Sequence, residues 1–340
     1  MAPERRVIAD GLPWPMSVWD IPGPPGAPAL VLLHGWMATA ALNWYGTFGP
    51  LSRHWRVIAP NLRGHGESGM QSPPFSVQGC ADDMAALIGC LRLEQPVVVG
   101  YSMGGAVAQM LASRHPDKLG GVVLCATAAR FNEPGTVDIA VRQFGRGAAL
   151  ASRAAPRLAT AFLRWQVGRY DRRPNQAPRP GDLAGAGTGQ PETTGQPETT
   201  GPPAPETTGQ LSPTGQLKTA GDTGTGTAGT PGWMLEERCK SHLAAFLEAG
   251  TALNNWDSRP WLEGVKVPSA VVLTERDTVV APWRQQEMAR LLGAQVFPVD
   301  GSHDAVGTRR REFVAALAQA CDAVGALQYA GTIPPGVSSS

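Results

Sequence analysis

Three residue types in this chain could together cut or transfer an acyl group: a serine on a tight turn, a histidine on a loop and a carboxylate on a second loop. The serine is Ser102, within Gly100-Tyr101-Ser102-Met103-Gly104, preceded by the apolar run PVVVG (96–100) and followed by a helix-like stretch. This fits G-x-S-x-G, in which a sharp strand-to-helix turn presents a hydroxyl at the carboxyl end of a sheet. Gly100, Gly104 and Gly105 leave the room such a turn needs. The positive end of the following helix favours an anionic intermediate. A serine hydroxyl is a poor nucleophile by itself: it needs a base, and the base needs an orienting acid.

Six histidines are available as base. His54 precedes a strand-like run, His115 precedes a proline at a helix end, and His242 lies on a helix with no obvious partner. His65 is in a tight RGHG turn, and His34 ends a strand and orders the loop beside it. His303, in DGSHDA, follows the last apolar run on a loop able to reach over the sheet edge, and is the expected base. For the acid, Asp277 in TERDTVV follows the run SAVVL (269–273). Glu275 competes; Asp277 is preferred because it lies deeper in the loop, before the turn back into a helix. Asp300 and Asp304 are too near His303 in sequence to orient it.

The elements that must position these residues show as short apolar runs: ALVLLHG (29–35), RVIAPN (56–61), PVVVG (96–100), GVVLCA (121–126), SAVVL (269–273) and AQVFPV (294–299). They are nearly continuous in hydrophobicity, as strands buried on both faces are. Helix-like stretches lie between them: Val77 to Leu91 with Ser76 as N-cap, Gly105 to Arg114, and Arg309 to Ala323. This alternation predicts a mostly parallel sheet covered on both sides, with Val7–Ala9 and Met16–Asp20 as an antiparallel pair at the entry edge. The alternation breaks after Ala126. From about Phe131 to Tyr170 the chain is helix-like and arginine-rich, and then GQPETT occurs at 189–194 and again at 195–200. Such a segment buries too little apolar surface to offset its ordering entropy, so disorder is predicted from about 174 to 232. GAGTG (185–189) has no strand before it or helix after it and reads as linker.

Together with LLHGW (32–36), NLRGHGES (61–68), GYSMGG (100–105), TERD (274–277) and GSH (301–303), the order Ser102, Asp277, His303 resembles that of the α/β-hydrolases. The chain looks like a cap-bearing, serine esterase- or lipase-like member. The resemblance implies an α/β fold with a mostly parallel, eight-stranded-type sheet flanked by helices. Residues 1–130 and 251–328 would form the core, 131–250 an inserted helical cap, and 329–340 a disordered tail. It also implies an oxyanion hole made by the backbone N–H groups of Met103 and Trp36, with Trp36 and Tyr101 contributing to substrate binding. Cap residues such as Leu243 and Phe246 could line an acyl pocket, or simply pack the cap. One departure is Asn61, where the family often has aspartate; it leaves Arg63 without an obvious local carboxylate. A serine nucleophile argues against the dehalogenases and epoxide hydrolases of this superfamily, which use aspartate.

The expected function is therefore a serine hydrolase acting on carboxylic esters. The same residues would also serve an acyltransferase, a peroxidase-like enzyme or a carbon–carbon hydrolase. From a different class, a ligand-binding or signalling protein could retain the fold. No metal or cofactor is implied, since neither H-E-x-x-H nor a clustered Cys/His set occurs. A net charge of +1 argues against a nucleic-acid-binding role. Five cysteines, an odd number without C-x-x-C spacing, suggest reduced thiols and a cytoplasmic location. MAPERRVIADGLPWP lacks the apolar core of a signal peptide, and no run reaches membrane length. Peripheral membrane contact and oligomeric state stay open.

Overall fold

The computed structural model describes residues 4–8, 11–68, 72–131, 237 and 241–330. The body of the expected cap, with the low-complexity stretch at 174–232, lies outside the described residues, as does the chain from 331. Eight strands form one sheet: β1 (Glu4–Ile8), β2 (Met16–Ile21), β3 (Ala29–Leu33), β4 (Arg56–Pro60), β5 (Val97–Tyr101), β6 (Gly121–Cys125), β7 (Ser269–Thr274) and β8 (Gln295–Val299), in the order β1-β2-β4-β3-β5-β6-β7-β8. Only β1–β2 and β2–β4 pair antiparallel; β4 to β8 run parallel.

The continuous hydrophobicity of the central strands has a direct cause: both faces are covered. Along β3, Val31 and Leu33 join one core while Leu30 and Leu32 join the other. Along β5, Val98 faces the first, and Val97, Val99 and Tyr101 face the second. The first core is closed by α2 (Val77–Cys90), α3 (Met103–Arg114) and Met288 and Ala289 of α6 (Pro282–Leu292), the second by α1 (Ala40–Leu51) and α8 (Arg310–Ala330). The other described α-helices are α4 (Leu243–Asn254) and two four-residue pieces, α5 (Arg259–Leu262) and α7 (Ala305–Thr308). Ser76 caps α2 as expected, its Oγ accepting the Gly79 N–H at 3.0 Å.

Three expectations need correction. AQVFPV reads as a buried strand, yet β8 is the sheet edge, with only Val299 buried; Pro298, which cannot donate to a ladder, suits an edge. The last helix is longer than its apolar pattern indicates and ends at Ala330, inside the stretch 329–340 expected to be a tail. Arg63 does have a carboxylate: Asp83, 20 positions on in α2, takes its Nη2 at 2.9 Å and its Nε in a forked ion pair. Asn61 fills the aspartate's place without a charge. Its Oδ1 accepts the Ala40 N–H at 2.8 Å, tying the end of β4 to the start of α1.

Candidate active site

Ser102 stands where β5 becomes α3, at φ 50 and ψ −113. That left-handed backbone is costly for a residue with a Cβ and persists only where the surroundings enforce it. They do so here at close range. Gly104 is pressed on the end of β3, so that a Cβ there would overlap the Leu33 carbonyl and lie 2.8 Å from the His34 carbonyl oxygen. A Cβ on Gly100 would likewise overlap the first turn of α3. The Ser102 N–H donates to Cys125 O at 2.9 Å, and Thr127 Oγ1 donates to Ser102 O at 2.8 Å, so β6 and its exit hold the turn from the other side. Ser102 is 8% exposed.

The three residues singled out for chemistry come together in one line. His303 Nε2 is 3.1 Å from Ser102 Oγ, and His303 Nδ1 is 2.8 Å from Asp277 Oδ2. A carboxylate oxygen can only accept, so the imidazole proton sits on Nδ1 and Nε2 is left as the acceptor facing the serine hydroxyl. Glu275 is on the surface, whereas the Asp277 side chain is fully buried and is the one that reaches His303. Asp277 Oδ1 receives the N–H groups of Val279 at 2.9 Å and Val280 at 2.8 Å, and Oδ2 receives Thr274 Oγ1 at 2.8 Å. Burial alone would push this carboxyl up. The bonds from His303, the Val280 N–H and Thr274 outweigh it, and Asp277 ends below the usual carboxylate range.

The histidine loop is held to the acid loop through Arg276, whose N–H donates to Gly301 O at 3.0 Å. Tyr101 has a different place from the one expected. It is buried on the α1/α8 face, edge-on to Trp44 at 5.8 Å and against Phe313 at 5.8 Å, and its hydroxyl donates to the His303 carbonyl. It therefore supports the histidine loop from beneath rather than facing a ligand.

The loop after β3 passes beside Ser102: a Cβ on Gly35 would lie 3.5 Å from Ser102 Cβ. Gly35 N–H is occupied by Asn43 Oδ1 at 2.8 Å, which leaves Trp36 as the next N–H along this loop. Met103 N–H is the first of α3 and has no partner within the helix. The loop is fixed from below by His34, whose Nδ1–H donates to Gly35 O at 2.9 Å and whose Nε2 accepts the Leu62 N–H at 3.0 Å. The Trp36 indole is 44% exposed and leans on α4, donating to Phe246 O at 2.9 Å over Gly250. Phe246 in turn packs on His65, ring centroids 5.3 Å apart, and His242 caps α4 by accepting the Ala244 N–H. Asn43 and Gln285 belong to this construction and carry no motif, and Thr274, though it opens TERD, was not singled out. What could have drawn attention to Asn43 and Gln285 is only their position one or two turns from a motif residue.

An α/β sheet with a serine–histidine–aspartate line at its carboxyl edge defines a class, and the comparisons agree. Residues 28–201, slightly more than half of the chain, match the model for the alpha/beta hydrolase fold, and the chain belongs to that family. It is 36% identical over 110 residues to the pimeloyl-[acyl-carrier protein] methyl ester esterase of Neisseria meningitidis, covering 32% of this chain and 40% of that one. An uncharacterized protein of Mycobacterium tuberculosis is 35% identical over 97 residues, 28% of each. The chain thus spans well under half the length of these curated relatives. Among solved structures, the enol-lactonase from Burkholderia xenovorans superposes with a TM-score of 0.59 at 21% identity, covering 92% of this chain and 98% of that one, a likeness of fold.

Proposed function

We propose that this protein is a serine hydrolase that cleaves small-molecule carboxylic esters through an acyl-enzyme. Ser102 Oγ attacks the carbonyl carbon while its proton passes to His303 Nε2. Asp277 keeps His303 in the tautomer that can accept and stabilises the imidazolium that results. The N–H groups of Met103 and Trp36 receive the oxyanion; removing one such donor typically costs about 3 kcal/mol of barrier. The ester C–O bond then breaks, with the proton on His303 delivered to the leaving alcohol. Water, deprotonated by His303, attacks the acyl group and releases the acid, restoring the serine.

The observation that carries this reading is the unbroken 3.1 and 2.8 Å line from hydroxyl to imidazole to carboxylate, built from residues 102, 303 and 277. The match to a methyl ester esterase supports an ester as substrate. Choice of acyl group is assigned to the insertion at 131–250, acting as a helical cap, and the free thiols of Cys80, Cys90, Cys125 and Cys321 fit a cytoplasmic setting. Among the described residues no helix is long and apolar enough to cross a membrane. The test is Ser102→Ala on a nitrophenyl acyl ester. Loss of kcat on the order of a millionfold is expected; turnover at the parental rate would remove Ser102 from the mechanism.

A further inference from the structure

Gln285 lies one turn into α6, eight positions after Asp277, and is fully buried. A buried carboxamide is costly unless its donors and acceptor are used, and here they all go to the acid loop. Its Oε1 accepts the Thr274 N–H at 3.1 Å. Its Nε2 donates to Val280 O at 2.8 Å and to Thr274 Oγ1 at 2.9 Å, with Asp277 Oδ2 also within 3.4 Å. The orientation is not arbitrary: an N–H on one side and a C=O on the other leave one way for the carboxamide to sit. The loop Thr274–Val280 is thus closed at both ends by one side chain. Thr274, itself buried, turns the contact into a directed chain: Gln285 N–H to Thr274 Oγ1, then Thr274 O–H to Asp277 Oδ2 at 2.8 Å. With its acceptor side taken by the Gln285 N–H, the Thr274 hydroxyl is left to donate to Asp277 Oδ2.

We infer that Gln285 is a positioning residue for the acid of the relay: acting through Thr274 and the Val280 carbonyl, it fixes the place of Asp277 Oδ2 and hence of the His303 ring. The inference rests on the Ser102–His303–Asp277 mechanism. Misplacing a relay group by about 1 Å can cost on the order of a hundredfold in rate.

The test uses the full chain, with kcat and KM on a nitrophenyl acyl ester measured between pH 6 and 8, well below each variant's melting temperature. Gln285→Leu keeps bulk and removes every hydrogen bond. Gln285→Glu keeps the acceptor for Thr274 N–H, loses both donors and sets a second carboxylate beside Asp277. Both should lower kcat by about 10- to 100-fold at pH 8 with KM within about twofold. For Gln285→Glu, the ratio of its kcat to the parent's should rise at least about threefold as pH falls to 6, because a glutamate buried beside another carboxylate protonates readily and then regains a donor. Glutamine variants with kcat within about twofold of the parent, a loss carried by KM, or a ratio flat with pH overturn the inference. Should neither variant fold, Thr274→Val cuts the same chain at constant shape, and unchanged kcat there overturns it as well. Ser102→Ala is run alongside. If it is inactive while the Gln285 variants are normal, only this inference fails; if it stays active, the relay and this inference fall together.

Discussion

A histidine works as a base only while it is neutral, and this chain places its imidazoles in very different surroundings. His303, whose Nε2 is 3.1 Å from Ser102 Oγ, keeps its side chain 24% exposed. His34 and His65 are fully buried, with ring centroids 5.0 Å apart. Burial, with His65 adding to it, brings His34 down to about 3, and burial brings His65 down to about 4. Unfolded, both would titrate near 6.5. Above that pH neither state binds the proton and their contribution is fully present. As pH falls from about 6.5 toward 4 the unfolded chain takes up two protons that the fold refuses, and stability drops by up to about 1.4 kcal/mol per pH unit for each group. Asp277 has the same sign but a lower window, since its stabilisation is lost only on falling through its own depressed value. Urea midpoints should therefore fall between pH 7.5 and 5 at constant m-value, and His65→Gln should flatten that slope. A midpoint independent of pH across this range would mean that the two imidazoles are not held neutral by the fold.

At this scale the sequence was most informative where a motif names the atom. Ser102 is fixed by its glycines, and His303 by being the histidine after the last apolar run. Asp277 was separable from Glu275 only by depth in a loop, and the structure buries the first and exposes the second. Gln285 was not legible, because a glutamine on an amphipathic helix has the pattern of a surface residue. Nor was the partner of Arg63, since a search for a local carboxylate cannot see that α2 brings Asp83 back against the RGHG turn.

At the level of elements, the serine is placed by how tightly α3 starts against β3. The contact of Gly104 with the Leu33 and His34 carbonyls is backbone on backbone, so neither side can yield by a rotamer change. Gly104→Ala must move the first turn of α3 away from β3, taking Ser102 Oγ from His303 and the Met103 N–H from the Trp36 loop. The expected result is a folded protein with kcat lowered at least about a hundredfold and stability lowered by about 2–4 kcal/mol. A Gly104→Ala protein with parental kcat and melting temperature would show that this close approach positions nothing. The strand and helix patterns themselves read well, because strands covered on both faces leave an unbroken apolar signature. β8 misled for the opposite reason: its apolar letters sit at an edge with only one residue buried, and burial is not written in composition.

For the molecule as a whole, residues far apart in the chain are brought together by the sheet, whose strands follow chain order except for the exchange of β3 and β4. Strands β5, β6, β7 and β8 lie side by side and parallel, so the loops that follow β5, β7 and β8 open on the same rim. That is why positions 102, 277 and 303 meet despite separations of 201 and 26 residues along the line of contact. α4, the described end of the insertion, is joined to the same rim through the Trp36 indole and through the His242 N–H, which donates to Gly64 O at 2.8 Å. The claim on which all of this depends is that His303 activates Ser102. It is tested most directly by following covalent labelling with a fluorophosphonate by intact mass. One adduct, mapped to Ser102, is predicted, formed at least about a hundredfold more slowly in His303→Ala. An adduct elsewhere, or Ser102 labelled equally fast without the imidazole, would contradict it.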